Sequence, residues 1–358
     1  MFPAQSRSRS MQNFLNSVSA WFSGLGRRLA GLLPDGAGIA GRIGAVVLAL
    51  FVIVQLGLAW YWSREPAPFW VRWEESQQPA VRGFATTDTL IEVARTLLDK
   101  PGGYLSNDIG PPGVLLDNIP SWEFGVLVQV RDLARALRND FSRSQTQSLE
   151  EPDLAAADPA FHFDSERWIL PSTEKKYRDA IRALERYRDR LSNPADQDAQ
   201  FFARADNLRD WLAIVEKRLG DLSQRLSASV GPRGVNTDLA GDPSASVATP
   251  RPGDIVVKTS WLELDNVFFE ARGAAWALTH FLRAAEYDFG DVLDDKNAKV
   301  SLRQIIRELE AAQEPLMSPI ILNGSGFAIF ANHSLVMASY LSRANSAVID
   351  LRELLGEG

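Results

Sequence analysis

The chain has 358 residues, no cysteine, and 38 basic against 45 acidic side chains, which gives a formal net charge of −7. Residues 1–63 contain five arginines and one aspartate, so the rest of the chain carries a net charge of −11. This balance disfavours binding to nucleic acid, which needs a basic face, and the lack of cysteine excludes a disulfide framework.

The first 42 residues form a short, arginine-rich tail in which apolar residues recur at helical spacing. This pattern predicts an amphipathic helix lying in the membrane surface, with Arg27 and Arg28 near anionic headgroups. Gly24, Gly26 and Gly31 weaken such a helix, and a disordered tail is the alternative. The apolar residues in question are Phe14, Val18, Trp21, Phe22, Leu25, Leu29, Leu32 and Leu33.

Residues 43–62 read IGAVVLALFVIVQLGLAWYW and contain no charged side chain. A helix of this length is about 30 Å long, which matches the hydrocarbon core of a bilayer. Trp60, Tyr61 and Trp62 close the run with rings that favour the headgroup zone. A cleaved signal peptide would have a shorter apolar region and small residues at a cleavage site. The sequence therefore predicts an uncleaved transmembrane anchor.

The orientation of this anchor follows from the lengths of the flanking segments. Basic residues near the two ends are almost equal in number, but the preceding tail is short whereas the following region is long. Long domains are translocated largely regardless of their charge. We therefore expect a cytoplasmic N-terminus, with residues 63–358 on the far side of the membrane.

The region 63–226 is predicted to be the first helical half of an outer body. Capping patterns place helix starts at Thr89-x-x-Glu92, Pro120 and Ser172. Residues 142–160 are polar and predict a loop. Asn193-Pro194 predicts another helix start, so that the helices on either side would form an antiparallel hairpin.

Residues 227–257 lack apolar periodicity and predict a flexible linker or loop. A second helical half, 258–358, follows and is expected to pack on the first. Its predicted helices begin at Ser260-x-x-Glu263, at Ser301-x-x-Gln304 and near Ser325. No strand alternation persists in the body, so the fold is predicted as all-α, with one transmembrane helix followed by a bundle of six or seven helices.

Residues 319–341 contain no Asp, Glu, Lys or Arg and raise the possibility of a second membrane span. Eight polar residues and glycines interrupt this stretch, which makes it costly in hydrocarbon. A buried core helix is the preferred interpretation.

The chain has three histidines, His162, His280 and His333, and lacks the Glu-x-x-His pairs of di-iron bundles and the spacing of zinc sites. No metal ion or cofactor is therefore predicted. The only candidate catalytic group is Glu270 with His280 and His333, which could meet across packed helices. Interior histidines with satisfied hydrogen bonds are the alternative.

Two segments are candidate binding sites. Asn323, Gly324, Ser325 and Gly326 stand at a predicted helix start, where backbone N–H groups could hold an anion. Trp122 and Glu123 follow a loop rich in glycine and proline, and a groove lined by Trp122, Trp261 and Trp276 would suit a peptide or lipid chain. An ordinary turn and ordinary core packing are the respective alternatives.

Several long phrases resemble one bacterial family. These are TTDTL (86–90), LLDKPGGYLSND (97–108), PPGVLLDNIPSWEFG (111–125), SLRQIIRELE (301–310) and LNGSGFAIFANHSLVMASY (322–340). They resemble a family of mainly proteobacterial membrane proteins defined as domain of unknown function 2333. The resemblance implies a Gram-negative source and an envelope location, and it implies no activity, cofactor or catalytic residue. Together with the expected orientation, this predicts an inner-membrane anchor with the body in the periplasm.

Two functions from different classes are consistent with these observations. The first is a non-enzymatic envelope protein that binds another envelope protein or associates with itself. The second is an envelope hydrolase acting on cell-wall or lipid material through Glu270, His280 and His333. Missing motifs and regular helical seams favour the interaction protein.

Overall fold

The structure is a computed structural model that describes most of the chain after residue 37. It covers residues 38–69, 81–144, 149–196, 198–231, 258–316, 318, 320–324 and 331–357, with the backbone of 233–235 and 254–256. The predicted interfacial helix and Ser325 and Gly326 lie outside these residues. The chain divides into two units between Tyr61 and Trp62.

The first unit is dominated by helix α1, Ile39–Trp62, which is four residues longer at its start than the predicted span. None of its residues is buried. Among the described residues, α1 is the one helix long and apolar enough to cross a membrane. The alternative second span at 319–341 does not form one helix, because α10 begins only at His333.

The second unit is a body of helices, as the sequence predicts, and the all-α class is confirmed. The described part contains seven long helices and two short ones, α4 and α8. In chain order these helices are α2 Phe84–Asp99, α3 Asn118–Ala136, α4 Pro152–Phe161, α5 Thr173–Leu191, α6 Ala205–Ser227, α7 Leu264–Asp288, α8 Gly290–Asp295, α9 Lys299–Ala311 and α10 His333–Gly356. Within the described residues, one antiparallel strand pair, β1 Arg233–Val235 with β2 Asp254–Val256, lies in the predicted linker.

Helix α7 is the central helix of the body. Every residue from Ala271 to Leu282 is buried, and α2, α3, α6, α9 and α10 all pack against it. A helical segment that is buried on all faces needs neighbours on all faces, which this arrangement supplies. The largest of these interfaces is the one with α3.

The α3–α7 interface depends on two glycines. A Cβ on Gly125 of α3 would lie 2.0 Å from the carbonyl oxygen of Glu270, and one on Gly273 of α7 would lie 2.0 Å from that of Trp122. Real Cβ atoms do not approach oxygen this closely, so only glycine permits the two backbones to touch.

The helix starts show where capping patterns mislead. Ser172 caps α5 as predicted, since its hydroxyl accepts a hydrogen bond from the Lys175 N–H. The Thr89 prediction is wrong, because α2 begins at Phe84, where the carboxylate of Asp288 accepts the Thr86 N–H at 2.7 Å. Ser260 and Ser301 do not cap helices either.

The predicted hairpin of α5 and α6 is also wrong. The Asn193 side chain accepts the Ala195 N–H within a turn, but α6 begins only at Ala205. The longer connection lets the two helices part: α5 packs on α2 and α4, whereas α6 packs mainly on α10. Residues 142–160, predicted as loop, include α4, which Glu151 caps.

The glycine crossing can be tested by adding one methyl group. We expect Gly273→Ala to lower the free energy of unfolding by about 3 kcal/mol, because the α3 backbone must move to admit the new Cβ. Gly220→Ala in α6 is the matched control, since its Cβ would be 3.7 Å from the nearest atom. That variant should gain about 1 kcal/mol through helix propensity. Urea unfolding of the full chain in detergent measures both, and equal effects would contradict the crossing.

Candidate functional site

Residues 62–69, here called the strap, join the end of α1 to the body. The ring of Trp62 lies over Gly102, where a Cβ would be 2.7 Å from the ring. Further along, Glu65 and Phe69 each contact α7. The strap therefore lies on the surface of the body over its described length.

The centre of the strap is held by an ion pair between Glu65 and Arg272. The guanidinium donates to both carboxylate oxygens, with Nη2 to Oε2 at 2.7 Å and Nε to Oε1 at 2.9 Å. Its Nη1 donates to the carbonyl oxygens of Glu314 and Ala312, so a side chain that is only 7% exposed is well supplied with acceptors. Charge-assisted, two-point pairs of this kind fix geometry as well as adding stability.

His280 holds the far end of the strap. Its ring stacks on Phe69 with 4.0 Å between ring centroids, and Nε2 accepts the Phe69 N–H at 3.0 Å. Nδ1 lies 2.6 Å from the carbonyl oxygen of Trp276, to which it donates in the neutral ring. Burial lowers the pKa of His280 to about 4, so the imidazole is neutral near pH 7.

Glu123 is wholly buried and forms an ion pair with Lys100, which is equally buried. Its carboxylate also accepts the N–H groups of Leu105 and Ser106, each at 2.8 Å, and the Ser106 hydroxyl. Lys100 in turn donates to the carbonyl oxygen of Gly103. The carboxylate of Glu123 therefore holds the loop 100–106 against the start of α3.

The predicted tryptophan groove does not form. Trp122 and Trp276 are buried and pack on each other with ring centroids 5.2 Å apart, whereas Trp261 is 81% exposed. The rings of Trp122 and Trp276 contribute to the core, and only Trp261 is available to a ligand.

The three candidate catalytic residues lie in separate environments. The carboxylate of Glu270 is held at two points by Arg225, at 2.7 and 2.6 Å. Ten residues of helix, about 15 Å, separate Glu270 from His280 on α7. His333 lies near Phe268, with 6.4 Å between ring centroids, and its Nδ1 accepts the Leu322 N–H. The described residues therefore do not bring these three groups together.

The candidate anion loop is placed differently from the prediction. Asn323 pairs with Asn332 in an isolated bridge, and the Gly324 N–H donates to the carbonyl oxygen of Ala331 at 3.2 Å. Helix α10 begins nine residues after Gly324, capped by Asn332, whose side chain accepts the Leu335 N–H. Among the described residues, the helix start that follows Gly324 is therefore the one capped by Asn332.

A groove of about 280 Å³ opens where α3 and α7 begin. Residues just before and within the first turns of both helices form one wall, and residues 316–323 form the other. The lining includes Asp117, Asn118, Trp261, Leu262, Asp265, Phe269, Leu316, Ile320 and Asn323. Within the described residues no cluster of His, Asp and Glu could hold a metal ion, and the groove itself is lined by both apolar and polar side chains, the acids being Asp117 and Asp265.

Sequence reasoning missed the strap residues Glu65 and Phe69, and the cation Lys100. Glu65 and Arg272 are 207 positions apart in the chain, so no local spacing connects them. The sequence contains one weak signal for Lys100, which directly precedes Pro-Gly-Gly. If Glu123 is buried, its carboxylate needs a cation as partner, and Lys100 is a candidate.

The buried ion pair at Glu123 can be tested by removing its cation. We expect Lys100→Met to lower the free energy of unfolding by about 3–5 kcal/mol, because a buried carboxylate loses its counter-charge. Arg182→Met, which breaks the surface pair with Asp179, should cost less than about 1 kcal/mol. Urea unfolding of the full chain compares them, and similar losses would show that the Glu123 pair is not buried.

His280 predicts a specific pH dependence of stability. Its folded-state pKa lies below the ordinary 6.5, so the unfolded chain takes up the proton first. The contribution of His280 is therefore complete above pH 6.5 and is lost as the pH falls towards 4, by an amount on the order of 3 kcal/mol.

We expect His280→Gln to reduce this loss between pH 7 and pH 4.5, as measured by unfolding at each pH. His162→Gln, at a partly exposed histidine, is the control for the substitution, and the variant at 280 should reduce the loss more than the variant at 162. An identical slope in the His280 variant and in the original chain would contradict the neutral, buried imidazole.

Comparison with known proteins gives a family and no activity. Neither the curated proteins nor the solved structures contain a significant match to this chain. The model of an uncharacterised protein family conserved in bacteria matches residues 37–358, which include α1 and the whole body. The chain therefore belongs to the bacterial family DUF2333, in agreement with the phrases that resemble it.

Proposed function

We propose that this protein is a single-pass protein of the bacterial inner membrane whose periplasmic body serves as an interaction or scaffold protein of the envelope. The observation that carries the proposal is α1, a 24-residue apolar helix with no buried residue, continuous with a helical body. An apolar helix of that length whose side chains are not buried in protein is stable in a bilayer. The short arginine-rich tail supports a cytoplasmic N-terminus.

The body is better suited to binding than to catalysis. The carboxylates and imidazoles that could do acid–base work are held in ion pairs and hydrogen bonds that serve the fold, as Glu123, Glu270 and His280 illustrate. The groove at the start of α3 and α7 combines apolar side chains with Asp117, Asp265 and two asparagines, and it contains no histidine among its described lining residues. We propose that the partner is another envelope protein or a second copy of this chain.

Membrane anchoring and orientation can be tested together. A C-terminal alkaline phosphatase fusion should be active and a C-terminal green fluorescent protein fusion dark, because the body would be exported. The chain should stay in the membrane pellet after carbonate extraction. The paired change Phe51→Arg and Val52→Arg should move it to the soluble fraction, since each mid-span arginine costs about 3 kcal/mol.

The matched control is Val300→Arg, at an exposed position on α9, which should remain in the pellet. A fluorescent C-terminal fusion would contradict the orientation, and release of the original chain by carbonate would contradict the anchor. Extraction in mild detergent should recover a stoichiometric partner or a dimer. Repeated recovery of a bare monomer would contradict the interaction role.

A further inference from the structure

Large apolar side chains are exposed together where α3 and α7 begin. Six of them, each more than half exposed, define what we call the apolar end: Leu115, Trp168, Leu170, Trp261, Leu262 and Ile320. Other exposed apolar residues of the body, such as Val230, Val300 and Ile349, lie on separate elements. Exposed apolar residues are unremarkable when single, but a contiguous group marks a contact surface.

Described contacts place these residues on one end of the body. Trp261, Leu262 and Ile320 line one groove with Asp117, two residues after Leu115. The segment that contains Trp168 and Leu170 is joined to the same end, because the Asn107 side chain donates to the carbonyl oxygen of Arg167 at 3.1 Å. Asn107 directly follows the loop that Glu123 holds at the start of α3.

The strap brings the chain to this same end. Phe69 contacts His280, Glu65 contacts Arg272, and Trp62 lies over Gly102. From Phe69 back to Trp62, the strap therefore passes along α7 towards the start of that helix. At Trp62 it reaches the loop 100–106, which Glu123 holds against the start of α3. Trp62 is the last residue of α1 and the first residue of the second unit, so the chain enters the body at this end.

We propose that the apolar end rests in the headgroup region of the bilayer that α1 crosses. This inference rests on the proposed function, because it requires α1 to span a membrane. Tryptophan and leucine are the residues that surface-bound proteins bury at that depth. The charged residues at this end include Asp117, Asp265 and Glu166 as well as Arg167, so attraction is apolar and does not require anionic lipid.

The absence of cysteine makes a site-specific test direct. Single variants Leu262→Cys, Leu170→Cys and Val300→Cys can each carry one environment-sensitive fluorophore in the full chain. Leu262 and Val300 are both 74% exposed, so Val300 is the matched control. The labelled proteins are reconstituted in phosphatidylcholine vesicles that contain a lipid with a nitroxide near the headgroup.

We expect the labels at 262 and 170 to be quenched by the nitroxide lipid about twofold or more above the label at 300. Quenching at 262 that equals quenching at 300 would overturn the inference. So would a label at 262 that is shielded from aqueous iodide in native membranes but exposed in the vesicles, since a protein would then cover the apolar end.

A label at Leu50→Cys in α1 distinguishes a failure of the membrane anchor from a failure of the lipid contact at the apolar end. It should be quenched by a nitroxide placed deep in the acyl chains. If Leu50 is quenched and 262 is not, the anchor stands and only the contact of the apolar end with lipid fails. If Leu50 is not quenched, the proposed anchoring fails as well.

Discussion

The close crossing of α3 and α7 is the constraint on which the rest of the body depends. With glycine at 125 and 273 the two backbones touch, so the side chains on either side of the crossing have fixed positions. Trp122 then packs on Trp276, and Glu123 faces the loop that it holds. A crossing one side chain wider would separate the two tryptophan rings, because packed interiors leave no room to adjust.

Four buried polar groups of the body, Glu123, Arg272, His280 and Asp288, share one physical role, which is to attach a loop, the strap or a helix start to the packed helices. Glu123 attaches the loop 100–106, Arg272 and His280 attach the strap, and Asp288 caps α2. The N–H and C=O groups of an irregular segment lack the partners that a helix would provide, and a buried charge needs several donors or acceptors. A buried charge beside such a segment therefore supplies hydrogen bonds to both. Such residues resemble catalytic groups in a sequence, because both are acids and histidines on apolar helices.

Most of the fold could be predicted from apolar periodicity, while the candidate site could not. The long helices and the apolar α1 follow from local patterns, as does the Ser172 cap. The predicted start of α2 was wrong because its cap comes from Asp288, about 200 residues away in the chain. The same distance hides the strap, since Glu65 and Arg272 have no shared local pattern. Site geometry depends on such long-range pairs, and spacing rules describe only neighbours.

The strap has less conformational freedom than a free linker of the same length. A free segment of eight residues would let its ends separate by about 15 Å. Here the body holds Trp62, Glu65 and Phe69, so the ends of the strap cannot change their separation freely, and the strap is a tether without slack. A tether without slack is unnecessary if the anchor serves only to localise a domain. It is useful if one end of the body must stay against the surface from which the chain emerges, which is the end where Trp261 and Leu262 are exposed.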